Sequence, residues 1–182
     1  MTRNFLAIGE CMVEMAPTGE GTYRLGFAGD TLNTAWYARR MLPEAWDVSY
    51  LTGVGRDSVS EEMLAFFEDA GIGTDLIQRF DDRTVGLYII QLNDGERSFS
   101  YWRSDSAARQ LARDRTRLDA ALAASDVIYF SGITLAILPT EHRGGFLEAV
   151  KAARKRGATI AFDPNLRLRL WESVEAMCAS VM

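Results

Sequence analysis

The sequence has a single histidine, His142, and only two cysteines, Cys11 and Cys178, far apart and without CxxC spacing. That excludes a zinc site and a disulfide framework, and it fits a reducing cytoplasm. Positive charge is also scarce. Twenty Lys and Arg stand against 25 Asp and Glu, a net charge of −5, which removes nucleic acid from the expected partners. No apolar run approaches the ~20 residues of a bilayer-crossing helix, and the N-terminal "FLAIG" is cut short by Glu10, so neither a membrane helix nor a signal peptide is expected. The chain contains no GxxxxGK followed by Ser or Thr and no GxGxxG, so the P-loop and the dinucleotide fingerprint are both missing. What is there is 48% apolar and 25% charged, the balance of a compact domain, and with nucleic acid set aside a small-molecule partner is the default expectation.

Four short apolar runs, "NFLAIG", "DVSYLTG", "DVIYFSG" and "ATIAFDPN", are continuous and bounded by Asp, Gly or Pro, and read as buried strands. Helical stretches separate them. Residues 58–70 open with Ser58 and Glu61 at capping-box spacing, carry Val59, Met63, Leu64 and Phe67 on one stripe and stop at Gly71. Residues 140–156 end likewise at Gly157. Strand and helix in alternation predict an α/β fold, a parallel sheet flanked by helices.

Two segments break the alternation and predict a small β appendage: residues 12–28, and a hairpin over 84–103 turning at Asp94 and Gly95. A two-residue loop sets Tyr88 opposite Tyr101, Ile90 opposite Phe99 and Gly86 opposite Arg103. One face then presents two tyrosines and an arginine, and the other Leu87, Ile89 and Trp102. Aromatic cross-strand pairing is by itself sufficient reason for such a pattern.

Polar residues crowd two helix or strand ends. In "FAGDTLNTAW", Gly29 permits close backbone approach, while Asp30 and Asn33 offer an acceptor and an amide suited to a polyol. A plain N-cap at Asp30 or Thr31 would account for one of these residues. "FDPNLR" follows a buried strand, which puts Asp163, Asn165 and Arg167 at the carboxyl edge of the sheet, where ligands of α/β proteins bind. An Asp-Pro-Asn turn is the bland alternative.

Taken together, "GECMVEM", "AGDTLNTA", "TGVGRDSVSEEM", "TVGLYIIQLNDGERSFSYWR", "VIYFSGITLAIL" and "FDPNLR" resemble, in order, the ribokinase-type (PfkB) carbohydrate kinases, and within them the branch acting on 2-keto-3-deoxygluconate. The resemblance runs over essentially the whole chain. It implies a ribokinase-like core with a β lid made of segments 12–28 and 84–103. It also implies that Gly29, Asp30 and Asn33 hold sugar hydroxyls, that Tyr88, Tyr101 and Arg103 cover the substrate from the lid, and that Arg167 faces it from the core. Asp163 and Asn165 fall in the phosphate or metal vicinity. ATP and Mg²⁺ are the implied cofactors, and Arg103 or Arg167 the group that meets a substrate carboxylate, since a guanidinium fork matches it in two places. The implied alternatives are a kinase of fructose, ribose or a nucleoside, and a non-catalytic sugar-binding module. The resemblance departs at Ala28, where glycine is usual, and in the GAGD-type segment with its aspartate base, which no stretch here matches. The base is accordingly expected beyond Met182, with these residues forming the N-terminal, substrate-binding part. A homo-oligomer through the lid is a further expectation.

Overall fold

The computed structural model describes residues 2–93 and 96–181. Strand β1 (Arg3–Ile8) is followed by β2 (Met12–Gly19), β3 (Thr22–Ala28) and helix α1 (Asp30–Met41). Then come β4 (Trp46–Leu51), β5 (Gly53–Val54), α2 (Ser58–Asp69), β6 (Gln78–Arg79), β7 (Gly86–Asn93) and β8 (Glu96–Trp102). The rest is α3 (Arg115–Ala123), β9 (Val127–Ser131), α4 (Gly132–Ile137), α5 (Thr140–Lys155), β10 (Thr159–Asp163) and α6 (Val174–Val181).

The four apolar runs form one all-parallel sheet in the order β10-β9-β1-β4. Successive side chains of a strand point to opposite faces, and β1 shows the result. Leu6 and Ile8 pack with Leu118 and Leu122 of α3 and Phe146 and Ala149 of α5. Ala7 and Phe5 pack instead with Leu32 and Ala35 of α1 and Met63 and Phe67 of α2. Both faces of β1 are covered, which is why Phe5–Ile8 read as an unbroken apolar run. Each large buried side chain contributes ~1.5–3 kcal/mol.

Helix α2 buries Met63 and Phe67, one turn apart, and ends where Gly71 takes a φ of 72°. Its cap differs from the expected one. Asp57, not Ser58, accepts from the Ser60 N–H at 3.0 Å, and the Glu61 carboxylate is engaged by Arg79 instead. The Ser58–Glu61 spacing imitates a capping box one residue late.

Segments 12–28 and 84–103 make a second sheet, ordered β3-β2-β7-β8. Its hairpin pairs Tyr88 with Tyr101, Ile90 with Phe99 and Asn93 with Glu96, the register a two-residue connection requires; the expected Asp94–Gly95 turn itself lies outside the described residues. The two segments join through a parallel pairing of β2 with β7, from Met12 opposite Gly86 to Met15 opposite Ile89. Leu87 and Met15 pack partly onto the core beneath the sheet, whereas Trp102 is exposed.

Candidate functional site

Three chain ends meet at the carboxyl edge of the parallel sheet. Beyond β1, residues Gly9–Cys11 cross directly into β2 and carry Glu10. Beyond β10 the segment Pro164–Arg167 turns back over the edge. Helix α1 starts here with Asp30, after Gly29, whose backbone lies so close to the Glu10 carbonyl that any Cβ would collide with it. The cavity between this edge and the second sheet has a volume of about 300 Å³ and is lined by Glu10, Met12, Glu14, Ala28, Gly29, Asp30, Asn33, Tyr88, Phe99, Tyr101, Arg103, Ile133, Asn165 and Arg167. Of the nine residues singled out from the sequence, eight border this one cavity.

Asp163 is the exception. It is exposed, lies outside the lining, and its Oδ1 accepts the Asn165 backbone N–H at 3.1 Å. That turn holds Asn165 at a φ of 30°, a left-handed conformation that Asn tolerates better than most residues. The Asn165 side-chain amide then donates to Asp30 Oδ2 at 2.8 Å, while Oδ1 accepts the Thr31 N–H at 2.8 Å. The carboxylate of Asp30 is thereby held at the cavity, and Asn165 stands beside it. Asn33 is exposed on the first turn of α1, its N–H closing the first helical hydrogen bond to Gly29 at 2.8 Å.

The opposite wall is aromatic. Tyr88, Phe99 and Tyr101 have ring centroids 5.7 to 6.2 Å apart. The Tyr88 hydroxyl donates to the Glu14 carboxylate, and burial together with that bond pushes the phenol pKa well up. Tyr88 stays protonated and acts as a donor.

Two acidic residues escaped the sequence reading. Glu10 registers in the sequence only as the end of an apolar run, yet it is 2% exposed. One carboxylate oxygen takes Arg103 Nη2 and the other the Ser106 hydroxyl. Burial lifts its pKa above the usual carboxylate range, and Arg103 and Ser106 oppose that shift. The Arg103 Nε–H is buried without a partner among the described residues. Arg103, expected to cover the substrate from the lid, is the buried half of an ion pair with Glu10. The second missed residue, Glu14, lies on β2 beside Tyr88. The signal for both was two acids in the otherwise apolar "GECMVEM".

Arg167 is different. It is exposed, its guanidinium donates to the Leu166 carbonyl at 3.2 Å, and no carboxylate lies within ion-pair distance among the described residues. Among the described residues no three His, Cys, Asp or Glu side chains come together as a metal centre would need. No helix there is long and apolar enough to cross a membrane.

The fold and cavity together define an α/β protein with a polar and aromatic cavity between a parallel sheet and a second β-sheet. The pfkB family carbohydrate kinase model matches residues 2–182, and the chain belongs to that family. It is 47% identical over 178 residues to the 2-dehydro-3-deoxygluconokinase of Dickeya dadantii, covering 96% of this chain and 57% of the relative. The 2-dehydro-3-deoxygluconokinase structure from Thermotoga maritima superposes with a TM-score of 0.82 at 23% identity, over 97% of this chain and 56% of that one. The fructokinase of Xylella fastidiosa with bound ATP gives 0.83 at 23% identity, over 100% and 54%. At such identity these two likenesses concern the fold alone. The chain spans about half the length of the curated relatives it matches.

Proposed function

We propose that this chain carries the substrate site of a cytoplasmic, ATP-dependent kinase that phosphorylates 2-keto-3-deoxygluconate, also called 2-dehydro-3-deoxygluconate, to its 6-phosphate. The observation that carries the reading is the convergence on one cavity of Asp30, Asn33 and Asn165 with the Arg167 guanidinium, which has no ion-pair partner among the described residues. Asp30 and Asn33 match a polyol, one accepting from hydroxyls and the other able to donate or accept. Arg167 matches the carboxylate that separates a sugar acid from a neutral sugar. The rings of Tyr88, Phe99 and Tyr101 supply an apolar face for the carbon skeleton, and the Tyr88 hydroxyl is anchored by Glu14. In this reading the β3-β2-β7-β8 sheet is the lid that closes over the sugar, and its exposed Tyr23, Leu25 and Trp102 are the surface on which a second copy would pair.

Bound ATP and Mg²⁺ would supply the phosphoryl group and the charge neutralisation that phosphoryl transfer needs. No residue among those described forms a cluster fit to hold the metal, so neither group is assigned ligands in this chain. The chain's own share is positioning: holding one hydroxyl end of the substrate outward while its carboxylate end is fixed. Neither aspartate of the edge is assigned as base, since Asp30 is committed to Asn165 and Asp163 lies outside the cavity.

A coupled assay of the full-length enzyme on a panel of 2-keto-3-deoxy sugar acids, fructose, ribose and nucleosides tests the reading. The sugar acid is expected to give the highest kcat/KM, and Arg167→Ala to raise its KM at least tenfold, the loss of one charge-assisted contact. A neutral sugar turned over faster than every acid would overturn it.

A further inference from the structure

Resting on that kinase reading, we infer that Glu10 is a specificity-determining and positioning residue: its buried carboxylate cancels the charge of Arg103 and fixes the guanidinium in the cavity wall, leaving Arg167 as the cation that selects an acid. Two arginines line the cavity, and the sequence makes them equivalent candidates for the substrate carboxylate. The structure makes them unequal.

Arg103 leaves the end of β8 with its side chain 11% exposed, against a Glu10 side chain that is 1% exposed. Nothing between them is solvent-screened, so the pair presents little net charge to a ligand. Glu10 is saturated from one direction, with Arg103 and Ser106 both approaching from the stretch just after the lid hairpin. Gly86 makes room for the arrangement, because a Cβ there would stand 2.9 Å from Glu10 Oε1 and 3.2 Å from the Arg103 Cβ. A carboxylate this buried beside a substrate site costs desolvation that a surface ion pair does not. A second, uncompensated guanidinium there would bind anions regardless of the rest of their skeleton. The Glu10 carboxylate removes that indiscriminate attraction and retains the Arg103 framework as shape, with its buried Nε–H unpartnered among the described residues.

The test compares kcat and KM of the full-length enzyme for the 2-keto-3-deoxy sugar acid and for the same skeleton carrying a carboxamide in place of the carboxylate. Glu10→Gln leaves Arg103 uncompensated, and the KM ratio of amide to acid is expected to rise about tenfold or more. The paired variant Glu10→Gln with Arg103→Gln replaces the ion pair by a neutral one. It is expected to keep the ratio within about threefold of the wild type, while Arg167→Gln collapses the ratio toward one. A purely structural role for Glu10 would shift both KM values together and leave the ratio alone, and that outcome overturns the inference. So does a paired variant that loses acid preference while Arg167→Gln keeps it, since Arg103 would then be the selecting cation. Should Glu10→Gln alone not fold, the paired variant and Arg167→Gln decide the matter between them. A wild-type enzyme that phosphorylates no sugar acid at all would overturn the kinase reading itself, an outcome distinct from any change in ratio.

Discussion

Substituting Gly29 by alanine tests whether the proposed substrate site depends on the close approach of two backbones. The φ at Gly29 is 177°, an extended conformation open to any residue, so the substitution adds no backbone strain of its own. Its whole effect comes from the Cβ. That atom would collide with the Glu10 carbonyl oxygen, with the Glu10 carbonyl carbon 3.3 Å and the Cys11 Cα 3.4 Å away. All three are backbone, and no rotamer change relieves the clash. Either the Gly9–Cys11 crossing or the start of α1 must move. Overpacking of this kind costs about 1–3 kcal/mol of unfolding free energy. The crossing carries Glu10 and its bond to Arg103, and the start of α1 carries Asp30 and Asn33, so a shift of either misplaces one wall of the cavity against the other. A displacement of about 1 Å costs on the order of a hundredfold in catalysis. Gly26→Ala is the matched control, because a Cβ at Gly26 would meet nothing within 4 Å. It is expected to leave kcat/KM unchanged and to stabilise by about 0.4–1 kcal/mol through the unfolded chain. Denaturant unfolding and steady-state kinetics on both variants supply the numbers. Equal behaviour of the two glycines in both measurements would refute the reasoning.

Three further outcomes follow from other parts of the molecule. Asn165→Asp puts a second carboxylate against Asp30, where a 2.8 Å amide bond now stands, and substrate KM is expected to rise at least tenfold; Asn165→Gly, which keeps the left-handed backbone, should cost less. Helix α5 contains Gly144 with open space where its Cβ would be, so Gly144→Ala is expected to stabilise by about 1 kcal/mol in denaturant unfolding without changing KM. Arg143 donates to Glu172, to Leu135 O and to Leu138 O, and the bond to Arg143 is the largest cause of a Glu172 pKa lowered to about 2. A lowered folded pKa means stability that is present above the ordinary carboxylate value of 4.5 and lost as pH falls toward 2. The melting-temperature difference between wild type and Glu172→Gln should therefore shrink across that window; because Glu172 is half exposed, screening keeps it small.

The parallel sheet was legible because a strand covered on both faces is apolar over a continuous stretch, as β1 is from Phe5 to Ile8, β9 from Val127 to Phe130 and β10 from Ile160 to Phe162. The register of β7 on β8 was legible because a two-residue loop expected at Asp94 and Gly95 leaves one pairing, which sets Tyr88 opposite Tyr101. The pairing of β2 with β7 was not. Parallel partners far apart in sequence leave no local mark beyond their own β propensity. Gly29, Asp30 and Asn33 could be singled out because three poor helix formers at a helix start call for a reason. Glu10 could not, because a charged residue closing an apolar run usually marks exposure, and only the tertiary placement of Arg103 and Ser106 shows it buried. Asp163 was grouped with Asn165 by proximity in sequence, whereas the Asx turn between them points the one away from the cavity and the other into it. The cap of α2 was misread by one residue, because Ser58 and Glu61 satisfy a spacing rule that the Asp57 carboxylate met first.

The parallel seam between β2 and β7 has a consequence for synthesis on the ribosome. Met12, paired with Ala28 on one side, finds its parallel partner only at Gly86, and translation at ~5–20 residues per second delivers that partner roughly 4–15 s after β2 emerges. During that interval β2 and β3 exist only as a two-stranded ribbon, which is marginal in water. One edge of β2, carrying Val13 and Met15, is open to any other extended chain nearby. The second sheet is therefore the part of the nascent chain most exposed to mispairing and to chaperone capture, and slowing translation before codon 86 should lower the soluble yield.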